Sequence, residues 1–209
     1  MSYPFPEARL LIFAKAPVAG QCKSRLAANI GNQAAAELQA ELIQRCVTEV
    51  GTESLCPTEL WCAPDCRHHL FQTLAAEFSL ALLQQQGADL GQRMFHAMSR
   101  QQAEATIIIG TDCPVLSRDH IKSTLLALQQ DNDAVLAPAE DGGYVLLGLR
   151  QVDPRLFADI AWGTAGVYGQ TVQACTSLGY KLHELETLWD IDLEADWQRY
   201  KLLKSITYK

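Results

Sequence analysis

The chain has 209 residues, 48% hydrophobic and 20% charged, which is typical of a globular protein with one substantial core. Its formal net charge of −7 argues against a broad surface for nucleic acid or for an anionic membrane. No stretch approaches the roughly 18 apolar residues of a membrane span, and the N-terminal apolar run is short and interrupted by Lys15, unlike a signal peptide. We therefore expect one domain over residues 1–209, with its cysteines reduced, in the cytoplasm.

Short apolar runs alternate with longer amphipathic segments along the chain. The clearest strand is the β-branched run Thr106–Gly110, of the kind that a parallel sheet buries on both faces. Asp89 and Ser117 are suitable helix N-caps, and Asp141-Gly142 between two apolar runs predicts a β-hairpin. The predicted strands cover residues 10–14, 59–63, 79–84, 106–110, 134–138, 144–149 and 181–185. The predicted helices cover 32–50, 65–78, 89–102, 117–130 and 166–178, and two more begin near residues 22 and 193.

This alternation predicts a three-layer α/β/α domain with a mostly parallel sheet, which the hairpin makes mixed. In sheets of this kind, ligands bind beyond the carboxyl ends of the strands. Loops 15–25, 86–93 and 110–116, together with the segment before the last helix, should therefore carry the functional residues.

The first of these loops is basic. The stretch "FAKAPVAGQCKSRLA", residues 13–27, brings Lys15, Lys23 and Arg25 to the turn that follows the first strand. It is not a P-loop, because Cys22 stands where that motif requires glycine. A turn that leads into a helix N-terminus favours an anion such as phosphate, and cations there add to this preference. The alternative is a basic loop that is simply solvated.

Carboxylates follow the clearest strand and precede the last helix. Asp112 stands at the tip of the strand, where a carboxylate can meet a divalent cation or cap a turn. In "WDIDLEAD", residues 189–196, Asp190 and Asp192 point the same way if the segment is extended. Asp192 could equally be the N-cap of the last helix. These readings are not exclusive, and the choice between Asp190 and Asp192 as a metal ligand stays open.

Two further stretches are ambiguous. In "GADLGQR", Arg93 could reach a phosphate or a base, or could pair with Asp89 four residues earlier. In "CAPDCRHH", residues 62–69, two cysteines and two histidines offer zinc ligands, but their spacing matches no standard zinc module. Core cysteines and exposed histidines explain this second stretch better.

Five segments in order resemble the glycosyltransferase A superfamily of nucleotide-diphospho-sugar transferases, in particular the radical-SAM/selenodomain-associated transferase 1 family. They also resemble, more weakly, the molybdenum-cofactor and 2-phospholactate guanylyltransferases. The resemblance covers nearly the whole chain and implies a Rossmann-like GT-A fold. Its segments are "FAKAPVAGQCKSRLA", "QGADLGQRM", "IIIGTDCPVL", "APAEDGGYVLLGL" with "FADIAWGT" behind it, and "WDIDLEAD".

The resemblance also implies roles for single residues. It implies Mg²⁺ or Mn²⁺ bound with a diphosphate at Asp112 and at a second aspartate before the last helix, for which Asp192 is preferred. Many members have Asp-x-Asp at the first position, whereas this chain supplies only Asp112, between threonine and cysteine. Asp141 would face the acceptor or the donor sugar and is a candidate base. The residues implied to bind the nucleotide and its phosphates are Lys15, Gly20, Lys23 and Arg25, to which the junction residue Arg93 is added.

The sequence thus predicts a metal-dependent, glycosyltransferase-like enzyme that uses a nucleotide-diphospho-sugar donor and a small-molecule acceptor. One alternative is a nucleotidyltransferase of the guanylyl or cytidylyl type that releases pyrophosphate, since the same site supports either reaction. An alternative of another class is a nucleotide-binding protein without catalytic activity, which the single carboxylate at Asp112 favours.

Overall fold

A computed structural model describes residues 3–207, and within that range seven strands form one sheet in the order β3-β2-β1-β4-β6-β5-β7. Strand β6 is antiparallel to its neighbours β4 and β5, while the other paired strands run parallel. The mixed, mostly parallel sheet and the hairpin between β5 and β6 are therefore confirmed. The strands are β1 Ala8–Lys15, β2 Thr58–Ala63, β3 Ala81–Gln84, β4 Ala105–Gly110, β5 Ala134–Pro138, β6 Tyr144–Leu149 and β7 Leu182–Glu184.

Helices fill most of the connections between the strands. Among the residues described, none of these helices combines the length and the apolar character that crossing a membrane requires. They are α1 Ser24–Ile30, α2 Asn32–Gly51, α3 His69–Glu77, α4 Leu90–Ser99, α5 Arg118–Gln129, α6 Val167–Ser177 and α7 Glu194–Thr207, with a short 3₁₀ turn at Pro154–Leu156.

The helices cover both faces of the sheet because successive strand residues point to opposite sides. In β1, Leu10 and Ile12 pack into one apolar cluster with buried residues of α2, α3 and α5. Leu11, between them, belongs to the opposite cluster with α4 and α6. All three leucine and isoleucine side chains are at most 2% exposed. The predicted three-layer α/β/α architecture is confirmed.

The order of the strands reverses between β1 and β4. From β1 the chain crosses to β2 and β3 on one side, whereas β4 and the later strands lie on the other side. Such a switch point opens a crevice at the carboxyl ends of the two strands, which is where ligands of open α/β sheets bind. Phe13 of β1 lies opposite Gly110 of β4, so the loops that follow these strands begin side by side.

Local side-chain contacts shift some predicted helix ends. Asp65 accepts a hydrogen bond from the backbone N–H of Arg67, and this turn delays α3 until His69. His68 then caps the helix, because its Nδ1 accepts from the N–H of Leu70. The caps predicted at Asp89 and Ser117 lie directly before α4 and α5. Helix ends of this kind depend on single hydrogen bonds, which a periodicity pattern does not resolve.

Candidate active site

Two adjoining cavities open at the carboxyl ends of β1 and β4. The β6-side cavity has a volume of about 430 Å³ and is bounded by α4, by the β5–β6 hairpin and by the loop that contains Trp162. The β2-side cavity has a volume of about 670 Å³ and reaches toward the ends of β2 and β3. Lys23 and Asp192 line both cavities, and Asp112 lines the β2-side cavity. The loop after β1, the tip of β4 and the segment before α7 therefore meet at one place, as predicted.

Lys23 is an almost fully enclosed charged group at the centre of this site. Its Nζ lies 3.0 Å from Oδ1 of Asp112 and donates a hydrogen bond to the backbone oxygen of Ile191 at 2.7 Å. Only 2% of the Lys23 side chain is exposed. Its backbone is left-handed, with φ 44° and ψ 47°, a conformation that costs a non-glycine residue about 1–2 kcal/mol. The loop thus aims this lysine at a carboxylate rather than into solvent, and the picture of a solvated basic loop is wrong for Lys23.

Arg25 makes a second ion pair across the same crevice. Its Nη1 lies 2.8 Å from Oδ2 of Asp192, and the Arg25 side chain is far more exposed than that of Lys23, 64% against 2%. Helix α7 begins at Glu194, so Asp192 lies before the N-cap position and that alternative is wrong. Instead, Oδ2 of Asp196 accepts from the backbone N–H groups of Asp192 and Leu193 and so fixes the start of the helix. The Asp192 side chain is left directed at Arg25.

The other residues predicted to bind phosphate occupy different places. Lys15, the last residue of β1, lines the β2-side cavity together with Arg93. Arg93 does not pair with Asp89, because its Nε donates to the backbone oxygen of Gly87 at 3.0 Å. Gly20 has φ 78° and makes the bend of the first loop, and within residues 3–207 it lines neither cavity. Glycine suits that bend because a positive φ carries no Cβ penalty for it.

Asp190 is a half-buried carboxylate that faces the β6-side cavity. Burial, and after it the nearby carboxylates of Asp141, Asp112 and Asp192, together raise the pKa of its carboxyl to about 6. Desolvation and like charge both disfavour the ionised form of the Asp190 carboxyl. The raised pKa therefore reflects several carboxylates that lie near one another in this crevice. Sequence reasoning weighed Asp190 as a metal ligand but gave no signal of this burial.

The tight turn of the hairpin brings Asp141 to the wall of the β6-side cavity. Its Oδ1 accepts from the N–H of Gly143 at 2.8 Å, which closes the turn. Gly142 has φ 89°, and a Cβ there would lie 2.3 Å from the backbone oxygen of Ala165. Tyr168 N also donates to the oxygen of Gly142 at 2.9 Å, so the turn is fixed against the start of α6. The predicted glycine turn is observed, and Asp141 lines the β6-side cavity.

Trp162 forms a wall that sequence reasoning did not assign. It lines the β6-side cavity and lies against α4, where a Cβ on Gly91 would be 2.4 Å from its Nε1. Glycine at that position therefore makes room for the indole. Gly91 lies in "QGADLGQRM" and Trp162 in "FADIAWGT", and both stretches carry the family resemblance. That resemblance was the one signal in the sequence that could have pointed to this wall.

The carboxylates of the site suit a hard divalent cation. Oδ1 of Asp112 is buried and has no hydrogen-bond partner within the described residues, because the contact with Lys23 lacks hydrogen-bond geometry. No cluster of three or more His, Cys, Asp or Glu side chains arranged for a metal exists in the described part of the chain. Mg²⁺ commonly uses only one or two carboxylates and completes its coordination with substrate phosphates and water. Asp112 with one further aspartate fits that requirement.

Solved structures with the same fold define the class of this protein as a transferase. A Desulfovibrio desulfuricans G20 protein, assigned as a nucleotide-diphospho-sugar transferase, is 30% identical with a TM-score of 0.82, over 90% of this chain and 83% of that one. The chain belongs to the DUF2064 family of uncharacterised proteins conserved in bacteria, whose model matches residues 42–164. No protein of curated function matches the sequence significantly.

Two more distant structures share the fold alone. A CMP:2-keto-3-deoxy-manno-octonic acid synthetase complexed with CTP is 11% identical, with a TM-score of 0.60 over 96% of this chain and 99% of that one. A glucosyl-3-phosphoglycerate synthase from Mycobacterium tuberculosis, in complex with Mn²⁺, uridine diphosphate and glucosyl-3-phosphoglycerate, is 9% identical. Its TM-score is 0.56 over 91% of this chain and 74% of that one. The fold expected from the sequence is confirmed.

Proposed function

We propose that this protein is a metal-dependent glycosyltransferase that moves a sugar from a nucleotide-diphospho-sugar to a small acceptor. The observation that carries the proposal is the pair of cavities that meet at Lys23 and Asp192, beside Asp112. A donor and an acceptor need separate spaces with a common boundary at the bond that is exchanged. The nucleotide end of the donor would occupy the β2-side cavity, and the acceptor would occupy the β6-side cavity.

The charges of the β2-side cavity suit the phosphates of a nucleotide donor. Lys15 and Arg93 line it, and neither has an ion pair within residues 3–207. Lys23 and Arg25, in contrast, are matched by Asp112 and Asp192. Two unmatched cations and one divalent metal offset the negative charge of a nucleotide's phosphate chain, whether it has two phosphates or three. The choice of a diphospho-sugar donor is supported by the 30% identical structure assigned as a nucleotide-diphospho-sugar transferase.

Asp112 and Asp192 would hold Mg²⁺ or Mn²⁺. Asp192 is preferred over Asp190 because it lines both cavities, whereas Asp190 lines only the β6-side cavity. When bound, the metal would stabilise the charge of the departing diphosphate. The glucosyl-3-phosphoglycerate synthase, solved in complex with Mn²⁺ and uridine diphosphate, is a protein of this fold that binds both a divalent metal and a nucleoside diphosphate.

Residues of the β6-side cavity would orient the acceptor. The indole of Trp162 and the side chains of Leu90 and Met94 offer apolar surface, and Asp141 offers a carboxylate at the same wall. In the transfer, the acceptor oxygen forms a bond to the sugar C1 and the C1–O bond to the diphosphate breaks. The acceptor hydroxyl proton would pass to Asp141, a role for which a positioned carboxylate is suited. The nucleoside diphosphate then leaves.

Nucleotidyl transfer is the second candidate, because the CTP-bound synthetase has the same fold. In that reaction the acceptor attacks the α-phosphate and pyrophosphate leaves. A thermal-shift panel of nucleoside triphosphates and nucleotide-sugars, each with and without Mn²⁺, identifies the donor class. A ligand at about 100 times its Kd adds roughly 2.7 kcal/mol to the free energy of unfolding. Release of nucleoside diphosphate or of pyrophosphate then distinguishes the two reactions.

The metal assignment has its own test. Asp112→Asn should abolish the Mn²⁺-dependent part of the thermal shift, and Asp192→Asn should reduce it more than Asp190→Asn does. If Asp112→Asn keeps both metal-dependent binding and turnover, the metal assignment is wrong. If wild type shows a metal-dependent shift but turns over no donor with any acceptor, the protein is a nucleotide-binding protein without catalytic activity.

A further inference from the structure

Lys23 links three parts of the chain at the centre of the site. Its ammonium contacts Asp112 at the tip of β4 and the backbone oxygen of Ile191 before α7, with 2% of its side chain exposed. The Asp112 side chain is 45% exposed, so this pair is open on the carboxylate side only. An ammonium so far removed from water needs an anionic partner close by. In this structure Asp112 is that partner.

Lys15 provides a contrast within the same cavity. It also lines the β2-side cavity, but its residue is exposed and no ion pair or hydrogen bond of its side chain occurs within residues 3–207. A phosphate can therefore approach Lys15 without breaking a contact. The same phosphate reaches Lys23 only after the ion pair with Asp112 has opened.

The pair has a consequence for the order in which ligands bind. A divalent cation that binds Asp112 by itself lies within a few ångströms of the Lys23 ammonium, and like charges at this distance repel strongly where water is scarce. A cation that arrives with a diphosphate brings negative charge that offsets both positive groups. The diphosphate also gives Lys23 a new anionic partner to replace Asp112. The ion pair thus disfavours the free metal and favours the metal–diphosphate complex.

We propose that Lys23 is the resident counter-ion of Asp112 and makes the site take up its metal together with the donor diphosphate rather than alone. This inference rests on the proposed function, because it takes Asp112 as a metal ligand. Lys23 acts as a positioning residue: it holds Asp112 and the segment before α7 in place until the donor complex binds. It then turns from the carboxylate to the phosphates.

Mn²⁺ binding without turnover tests the proposal. Electron paramagnetic resonance of the full chain measures Mn²⁺ affinity, first with metal alone and then with UDP, GDP, CDP or ADP added. Lys23→Gln keeps a donor for the oxygen of Ile191 but removes the charge, so it should bind Mn²⁺ alone at least about tenfold more tightly than wild type. Lys15→Gln is the matched control for Mn²⁺ alone: because Lys15 has no ion pair with Asp112, the affinity for Mn²⁺ without nucleotide should remain within about threefold of wild type. Adding Asp112→Asn to Lys23→Gln should remove the increase.

Wild type itself provides a second measurement if Lys23→Gln does not fold. One of the four diphosphates should raise its affinity for Mn²⁺ at least about tenfold. If Lys23→Gln binds Mn²⁺ no more tightly than wild type while a diphosphate still promotes metal binding, the counter-ion role is wrong and the proposed function stands. If a diphosphate binds without raising Mn²⁺ affinity, the coupling is wrong. If neither wild type nor Lys23→Gln binds Mn²⁺, with or without a nucleoside diphosphate, both proposals are wrong.

Discussion

Arg9 of β1 and Glu59 of β2 form a buried, two-pronged ion pair at the end of the sheet opposite the candidate site. Nη2 of Arg9 lies 3.0 Å from both carboxylate oxygens of Glu59, and its Nε lies 3.2 Å from Oε1. The two side chains are 6% and 10% exposed. Trp61 Nε1 donates to the same carboxylate at 2.8 Å. The polar groups of this buried cluster therefore satisfy one another, as burial of charge requires.

Glu59→Gln should destabilise the protein by about 3–5 kcal/mol, because it leaves the guanidinium of Arg9 buried without a charge partner. Urea denaturation measures the change in the free energy of unfolding. The control is Glu53→Gln, which removes an exposed pair at 4.0 Å from Arg118 and should cost about 0–1 kcal/mol. Equal effects of the two substitutions would contradict the proposed importance of burial.

Gly91→Ala should disturb the wall of the β6-side cavity. The added Cβ would lie 2.4 Å from Nε1 of Trp162, so the indole must move, at a cost of about 1–3 kcal/mol. Gly169→Ala is the control, since it also adds a helical alanine but has open space around its Cβ. That control should leave stability unchanged or raise it by up to about 1 kcal/mol. In a Trp162→Ala background the penalty at Gly91 should largely disappear, and a penalty that persists would contradict the contact.

Alanine substitutions at two glycines distinguish backbone strain from steric collision, because only the glycine in the hairpin turn has backbone atoms close to its missing Cβ. Gly142 and Gly163 have φ 89° and 80°, so alanine is strained at both, at a cost of about 1–2 kcal/mol. A Cβ at Gly163 meets open space, whereas one at Gly142 would lie 2.3 Å from the oxygen of Ala165. Gly142→Ala should therefore lower the free energy of unfolding by about 1–3 kcal/mol more than Gly163→Ala does, measured by thermal or urea unfolding. Equal decreases in the free energy of unfolding for the two variants would show that the hairpin backbone moves to relieve the contact with Ala165.

The contact between α2 and α7 should weaken in acid. Burial alone would raise the pKa of Glu41, but hydrogen bonds from Lys204 and Tyr200 and the charge of Lys204 outweigh it and lower the pKa. A lowered pKa contributes stability above the pKa of the unfolded chain, and this stability is lost as pH falls through the folded value. Glu41→Gln should thus lower Tm at pH 7, with a difference that shrinks below about pH 4.5.

Lys204→Met tests the origin of that pH dependence. In its background, Glu41→Gln should change Tm less at pH 7 and with a weaker dependence on pH, because the charge partner is already absent. The same Tm difference at pH 7 and in acid, in the wild-type background, would contradict the assignment. Differential scanning calorimetry at several pH values provides both measurements.

Local signals in the sequence predicted most of the fold. Asp89 and Ser117 each lie directly before the first residue of a helix, and Asp89 accepts from the N–H of Gln92 as an N-cap should. The β-branched run of β4 is buried except for its final glycine. These predictions succeed because a cap or a buried strand depends on a few neighbouring residues and on their period.

Contacts between distant residues could not be predicted in the same way. Sequence reasoning brought the basic loop and Asp112 to one edge of the sheet, but it had no means of showing that Lys23 would be buried against Asp112. The hydrogen bond from Lys23 to Ile191 spans 168 positions of the chain. Likewise, the enclosure of Asp190 depends on how three loops pack together, which periodicity does not encode.

The candidate site is completed by the segment before α7, which is synthesised after all the strands of the described sheet. Ile191 accepts from Lys23 and donates its own N–H to the oxygen of Asp112 at 3.0 Å, and Asp192 supplies the partner of Arg25. All the strands of the described sheet lie earlier in the chain. A nascent chain that has emerged only as far as β7 can therefore assemble its sheet while the basic loop still lacks these partners. Competence for substrate should then appear in one later step, when the segment with Ile191 and Asp192 and helix α7 leave the ribosome and dock.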